Sequence, residues 1–515
     1  MSSAAESHYI GREPTGIELV AVVLVLALGN FLAILDLTIT NVLVPHIAGG
    51  LATSPSNGTW VITSYGVAEA IMVPLTGWLS QRFGPVRVFV SGIVGFGIFS
   101  LLCGMATSLP MLILFRILLG VCGGPLIPLS QTLLVKIVPQ RHYVAALAAW
   151  SVATVLAPVA GPMIGGLIGD NWSWPWAFYI KVPMAAAIAI LAWRVLASHE
   201  PPTSKIAVDY GGLALLVVWV AALQIMLGNG QDMDWFNSDF IVGLLIVTIL
   251  GFVAFVIWEL TDKTPIVDLR VFSNRTFAVS MVVAALVFGV QFGSIVLVPL
   301  WLQTSMGYTA TWAGYNAAFM GVSALLAAPV TSILMKYMDH RGIICLGLFI
   351  TAAACLMRVF YSDQIDFWLL MWPQLIFGFG IVLVVLPLVD MSTSSLSPED
   401  VASGAGQFNF IRTLSSAIST AAIIALWNNQ ISTSKAALAG ALHDPTALMG
   451  AAEAGGMTQE RARNVLDLLV QGQGVQQATN NVFLIISLLL LVTAVAVWIV
   501  PKPPKKTGGG IPAAH

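Results

Sequence analysis

Three ionisable side chains stand where apolar sequence should run unbroken. Asp36 lies about two-thirds of the way along LVAVVLVLALGNFLAILDLTITNVLV (19–44), Glu69 lies in GVAEAIMVPL, and Arg116 lies in LPMLILFRILLGVCGGPLIPL. The first and last runs are long enough to cross a bilayer as helices, which takes about 20 apolar residues. An ionised group at that depth costs at least about 2.5 kcal/mol, so such residues face cavities or pathways and serve function by default. Asp36 is therefore read as a carboxyl that loads and unloads protons on a transport path; the alternative is an acid satisfied by a structural partner. Arg116 cannot shed its proton and needs an anion or several acceptors. Asp36, Glu69 and backbone carbonyls are its candidates. Glu69 reads as a second proton site or a contact for cationic compounds.

The elements that must position these groups are transmembrane helices. The chain has 515 residues, 58% hydrophobic and 9% charged, with a net charge of -2 and a mean hydropathy of +0.89. Soluble domains carry about 25% charged residues. The composition specifies an all-α polytopic membrane protein and gives no basic field for nucleic acid. Cys103, Cys122, Cys345 and Cys355 lie in apolar runs without metal-ligand spacing, and the seven histidines are scattered. No phosphate-cradling loop occurs. Metal, nucleotide and cofactor chemistry are not expected; the proton is the expected coupling ion.

Fourteen apolar runs begin near residues 19, 59, 86, 109, 143, 175, 209, 240, 276, 311, 342, 366, 402 and 481. With the N-terminus inside, 15 of the 22 Lys and Arg fall in cytoplasmic segments, as the positive-inside rule requires. The expected organisation is a cytoplasmic segment 1–18, a six-helix bundle 19–197, a Pro-rich linker 198–208, two inserted helices 209–260, a second six-helix bundle 261–500 and a cytoplasmic tail 501–515. The second bundle carries a periplasmic loop of about 428–480. Within that loop Met457–Gln471 reads as a surface helix with an apolar stripe of Val465, Leu466 and Leu469.

A weak internal repeat at an offset of 255 residues relates Pro74–Arg82 to Pro329–Tyr337, and just upstream Thr59-Trp60 and Thr311-Trp312 open the corresponding spans. The same offset sets Gln291 opposite Asp36, and the pattern Arg116-(x3)-Gly120 sets Gln374 opposite Arg116. Charge thus belongs to the first half and neutral hydrogen-bonding groups to the second. Gln291 and Gln374 are assigned to a substrate cavity, with Asn41, Asn409 and Arg412. Arg358 lies near the outer end of its span and reads as snorkelling to water. In span 5, Gly161, Pro162, Gly165 and Gly166 combine close-packing small residues with a proline that removes a backbone hydrogen bond, which suits a helix that rocks on its neighbour.

These segments resemble the major facilitator superfamily, more narrowly its fourteen-span drug:proton antiporter branch and EmrB-like multidrug exporters. Leu35–Pro45, with Asp36, Thr38 and Asn41, is similar to the span-1 motif. Gly77–Arg87, with Arg82 and Gly84, is similar to the loop 2–3 gating motif, although Gln81 stands where an aspartate is usual. Leu112–Gly120 with Arg116 is similar to the span-4 motif tied to proton transfer. Gly161–Gly166 is similar to the antiporter motif, which implies export. Trp174–Pro183 is similar to the start of span 6, with Lys181 replacing a typical asparagine.

The resemblance implies a proton-coupled antiporter that exports hydrophobic or amphipathic toxic compounds by alternating access across a bacterial inner membrane. It also implies an EmrA-like periplasmic adaptor and a TolC-like outer-membrane channel, with 428–480 as the adaptor contact. A dedicated exporter of one endogenous product, such as a siderophore or fatty acid, is the rival reading. A polytopic membrane enzyme or a sensor is less favoured, because neither clustered catalytic residues nor a soluble output domain is evident.

Overall fold

The computed structural model describes residues 14–53, 55–203, 208–262, 265–362, 364–394, 396, 400–441 and 458–499. The expected tail 501–515, most of segment 1–18 and positions 442–457 of the expected loop lie outside these residues. Among them, thirteen helices are long and apolar enough to cross a membrane. They begin with span 1 (Ile17–Gly50) and span 3 (Pro85–Gly104). Span 4 is Leu109–Gly123 continued by Leu126–Ile137, span 5 is Gln140–Asn171 and span 6 is Lys181–Leu196. Spans 7 and 8 are Tyr210–Asn229 and Asp239–Thr261. Spans 9 to 12 are Arg275–Thr304, Ala310–Tyr337, His340–Arg358 and Phe367–Ser394. Spans 13 and 14 are Val401–Ala441 and Gln459–Ala496.

The fourteenth segment is span 2, made of Trp60–Met72 and Thr76–Phe83. Pro74 lies at its break, as Pro125 lies at the break in span 4. A proline has no amide hydrogen to give to the helix ladder. Span 5 nonetheless stays one helix through both Pro158 and Pro162.

The two halves repeat a packing relation. Gly120 of span 4 lies so close to span 2 that an added Cβ would stand 2.7 Å from the Tyr65 carbonyl oxygen, and Gly378 of span 12 presses likewise on Met320 and Ser323 of span 10. Only a residue without a Cβ lets the backbones approach this closely. Spans 7 and 8 stand apart from the main core. Leu216, Trp219, Val220, Leu223 and Phe255 form their own apolar cluster with Ala70 and Leu75 of span 2, and Trp219 meets Phe410 of span 13 edge-on at 5.8 Å. The inserted pair therefore covers the seam where spans 2 and 13 adjoin.

The halves meet at both ends. On the face carrying the basic turns, Gly77 abuts Ser403 and Gly406 abuts the Val73 carbonyl, while Asn409 Nδ2 donates to Gln131 Oε1 at 2.8 Å. On the opposite face, Gly314 abuts Met163 and Thr311 Oγ1 donates to Asp170 Oδ2 at 2.8 Å.

The loop expected at about 428–480 is largely helical where it is described. At 1.5 Å per residue, the 41 and 38 residues of spans 13 and 14 extend roughly 60 Å each, about twice the hydrocarbon thickness. Met457–Gln471 is therefore not a separate surface helix; from Gln459 it is the first part of span 14. Tertiary contacts explain the extension: Trp427 donates to Thr479 at 2.9 Å, and Gly474 packs on Lys435. The two ends thus support one another beyond the bilayer.

The close contact of spans 1 and 5 generates a test. A Cβ at Gly161 would clash with the Thr38 side chain and stand 2.9 Å from its carbonyl carbon, whereas nothing lies within 4 Å of one at Gly66. Overpacking costs about 1–3 kcal/mol. Gly161→Ala should lower the thermal midpoint of the purified protein by several degrees, and Gly66→Ala should leave it level or raised. Equal midpoints for the two variants would contradict the packing.

Candidate functional site

The first half is centred on one carboxylate. Asp36 is fully buried. Its Oδ2 accepts from Arg116 Nη1 at 2.5 Å, and its Oδ1 is ion-paired with Lys181 Nζ. Helix geometry brings the three together, because spans 4 and 6 each present one inward-facing cation to the middle of span 1. Arg116 Nε donates to the Val61 carbonyl at 2.9 Å, and its guanidinium lies 4.4 Å from the Tyr65 ring centre. Lys181 lies 4.5 Å from the Phe178 ring centre. Arg116 Nη2 has no hydrogen-bond partner among the described residues.

Of the acceptors expected for Arg116, the structure selects Asp36 and a carbonyl, not Glu69. The site holds two cations around one anion. Protonating Asp36 would leave both basic groups without a counter-charge in dry protein.

Lys181 is the member that sequence reasoning passed over. In the sequence it stands only as a departure from the asparagine typical at the start of span 6. The short helix Trp176–Tyr179 precedes it, so Lys181 opens the next helix from inside the bundle. The available signal was the acid on span 1, which Arg116 alone would have neutralised.

Glu69 is buried on span 2 and Arg412 on span 13. Neither forms an ion pair within 4.0 Å among the described residues. The pair faces across the seam between halves.

The residues assigned to a substrate cavity are not gathered in one place. Asn41 is exposed. Asn409 joins span 13 to Gln131, and Arg412 stands opposite Glu69. Gln291 is fully buried with both amide atoms unpartnered. Gln374 accepts from Arg358 and donates to Asn316. Arg358 does not snorkel; it is 1% exposed, because span 14 covers it with Phe483 at 5.4 Å. An apolar cavity of roughly 550 Å³ lies between the first half of span 1 and span 5, lined by residues including Leu24, Phe31, Ala149 and Leu156.

The gating residues divide between contact and turn. Gly77 takes part in the seam and Gly161 and Gly165 in the span 1–span 5 contact, while Pro162 and Gly166 lie within span 5. Gly84 has φ +92° and starts span 3, a conformation that favours glycine. Arg82 lies 5.7 Å from the Trp78 ring centre. The Arg87 amide donates to Glu200 Oε2 at 2.9 Å. Glu200, just past span 6, thus brings a carboxylate to the positive end of span 3, in a turn where Gln81 carries none.

The described helices repeat the span 2–span 4 packing at spans 10 and 12, with charged side chains buried in each half, and comparison with known families gives this arrangement its class: a membrane transporter. The sequence description of the Major Facilitator Superfamily matches residues 26–420, and the chain belongs to that superfamily. It is similar to the multidrug export protein EmrB of Escherichia coli (strain K12), 39% identical over 97% of this chain and 98% of the relative. It is also similar to the fatty acid resistance protein FarB of Neisseria gonorrhoeae, 37% identical over 96% of this chain and 98% of the relative. Among solved structures it shares the fold of the proton:xylose symporter XylE, with a TM-score of 0.56 and 16% identity, covering 94% of this chain and 96% of the other.

The charge balance at Asp36 generates a second test. Asp36→Asn strips two buried cations of their anion, and breaking a buried pair in this way costs about 3–5 kcal/mol. Lys181→Met leaves the neutral Asp36–Arg116 pair. The thermal midpoint should fall clearly in Asp36→Asn, stay near wild type in Lys181→Met, and recover in part in the double variant. Equal losses in the two single variants would contradict a site with one cation in excess. Arg116→Lys keeps charge but loses the planar fork that holds Asp36 and Val61 together, and should resemble Asp36→Asn in stability rather than wild type.

Proposed function

We propose that this protein is a proton-driven antiporter that exports hydrophobic or amphipathic toxic compounds across a bacterial inner membrane by alternating access. The observation that carries the reading is the Asp36 carboxylate shared between Arg116 and Lys181. Protonation on the outside-facing side removes the anion that holds both cations in dry protein. The cations then favour a form in which water reaches them, substrate leaves, and the carrier turns inward. Loss of the proton inside restores the packed charges. The apolar cavity between spans 1 and 5 falls in the size range of small-molecule sites and suits the greasy part of such a compound.

The driving force is sufficient. A proton moving down about 100 mV supplies roughly 2.3 kcal/mol, and a tenfold substrate gradient needs about 1.4 kcal/mol. The similarity to EmrB supports multidrug export. The distribution of Lys and Arg favours N- and C-termini in the cytoplasm, and assembly with a periplasmic adaptor and an outer-membrane channel is part of the proposal. A dedicated exporter of one endogenous product, such as a siderophore or fatty acid, is the second reading; the similarity to FarB, a fatty acid resistance protein, favours fatty acid as the cargo class. The helical extension beyond the membrane is the natural adaptor contact, since Leu468 and Leu469 are 68% and 60% exposed.

Two experiments test this. In energised inverted vesicles, Asp36→Asn should abolish pH-gradient-driven drug uptake while the protein remains in the membrane; wild-type kinetics in that variant would refute the proton assignment. Replacing Leu468 and Leu469 by serine should spare transport in proteoliposomes and lower drug resistance in cells. Unchanged resistance, or equal loss in both assays, would count against adaptor docking there.

A further inference from the structure

The second half contains a buried cation that no anion balances. Arg358 Nη1 donates to Ser294 Oγ at 2.9 Å and Nη2 to Gln374 Oε1 at 3.1 Å. Gln374 Nε2 in turn donates to Asn316 Oδ1 at 2.8 Å. Phe377 and Phe483 place their rings 5.1 and 5.4 Å from the guanidinium. Among the described residues, no ion pair reaches Arg358. Hydroxyl, amide and ring faces satisfy hydrogen bonds and soften the charge without cancelling it. An unpaired buried charge is among the most costly features a protein interior can hold.

Polar capacity is also left over around it. Asn316 Nδ2 and both amide atoms of Gln291 are buried and without partners. Gln291 lies three residues from Ser294 on span 9, so the two share a helix face. Buried unpartnered polar groups of this kind ask for an explanation such as a ligand. The pseudo-symmetric first half supplies the contrast. There Arg116 meets an internal carboxylate, Asp36, whereas the position matched to Asp36 is the neutral Gln291 and that matched to Arg116 is Gln374. One half carries its own anion and the other presents a cation ready for one.

We propose that Arg358, Gln374 and Asn316 form a binding site for the carboxylate, or an equally compact oxyanion, of an acidic amphiphile, which is carried as the anion. Arg358 supplies the charge and Asn316 a free amide donor. Phe377 and Phe483 offer apolar surface beside the head group. The inference rests on the exporter reading only in naming the bound acid as cargo; the binding itself stands apart from transport.

The test uses 4-(pyren-1-yl)butanoate and 4-(pyren-1-yl)butanol, which share one apolar body and differ in charge. Fluorescence anisotropy with the purified full chain in detergent, against protein-free micelles, should show the acid bound at least about tenfold more tightly. Gln374→Glu places a carboxylate directly on Arg358 and fills the site from within. It should remove the preference for the acid, retain binding of the alcohol, and leave the thermal midpoint level or raised. Arg358→Gln should remove the same preference where it folds. Equal affinity for both probes in wild type, absence of acid binding, or an acid preference that persists in Gln374→Glu would overturn the proposal. So would loss of the preference on adding chloride to a chloride-free buffer that itself carries no carboxylate, which would make this a site for an inorganic anion. pH-gradient-driven transport of a neutral dye, measured on the same preparations, reports on the exporter reading separately: its persistence beside a failed binding test leaves that reading intact.

Discussion

A single carboxylate held between two cations in dry protein is the constraint around which the first half is arranged. Asp36 is held in span 1 by Arg116 from span 4 and Lys181 from span 6. The helices around it pack closely, with Gly120 of span 4 against span 2 and Gly161 and Gly165 of span 5 against span 1. Under the antiporter reading proposed above, protonation of Asp36 is the event that would release the two basic groups.

The two halves solve the same packing problem with different chemistry. Each sets a glycine-faced helix, span 4 or span 12, against its partner, span 2 or span 10. The first half closes its polar cluster internally with an acid. The second closes its cluster with neutral groups around Arg358 and leaves donors unpaired. The contrast lies in the charge: the first half holds its anion within the protein, and the second sets neutral partners on its buried arginine. The inserted spans 7 and 8 add asymmetry of another kind, because Trp219 and its neighbours cover the seam of spans 2 and 13.

Much of this was legible in the residues, for physical reasons. Long apolar runs have one cheap conformation in lipid, so the span pattern followed from hydropathy, and an arginine in such a run has few acceptors, so Asp36 stood among the candidates from which the structure selects it over Glu69. Lys181, Arg358 and Glu200 were not legible in this way. Each lies near the end of an apolar run, where sequence cannot separate a solvated charge from a buried one. Burial there is decided by neighbours distant in sequence: Asp36 for Lys181, span 14 for Arg358, and the turn at Gly84 for Glu200. The continuation of spans 13 and 14 was hidden likewise, since their polar outer parts hold together through Trp427–Thr479 and Lys435–Gly474 rather than through an apolar pattern of their own.

The central claim is that Asp36 changes protonation during the transport cycle. Infrared difference spectroscopy of reconstituted protein, comparing wild type with Asp36→Asn, would follow the carbonyl stretch of a protonated carboxyl as a transported drug is added. The account predicts a band assigned to Asp36 under outside-acid conditions that disappears when drug binds. A carboxylate signal that stays ionised under all conditions, with and without drug, would contradict it.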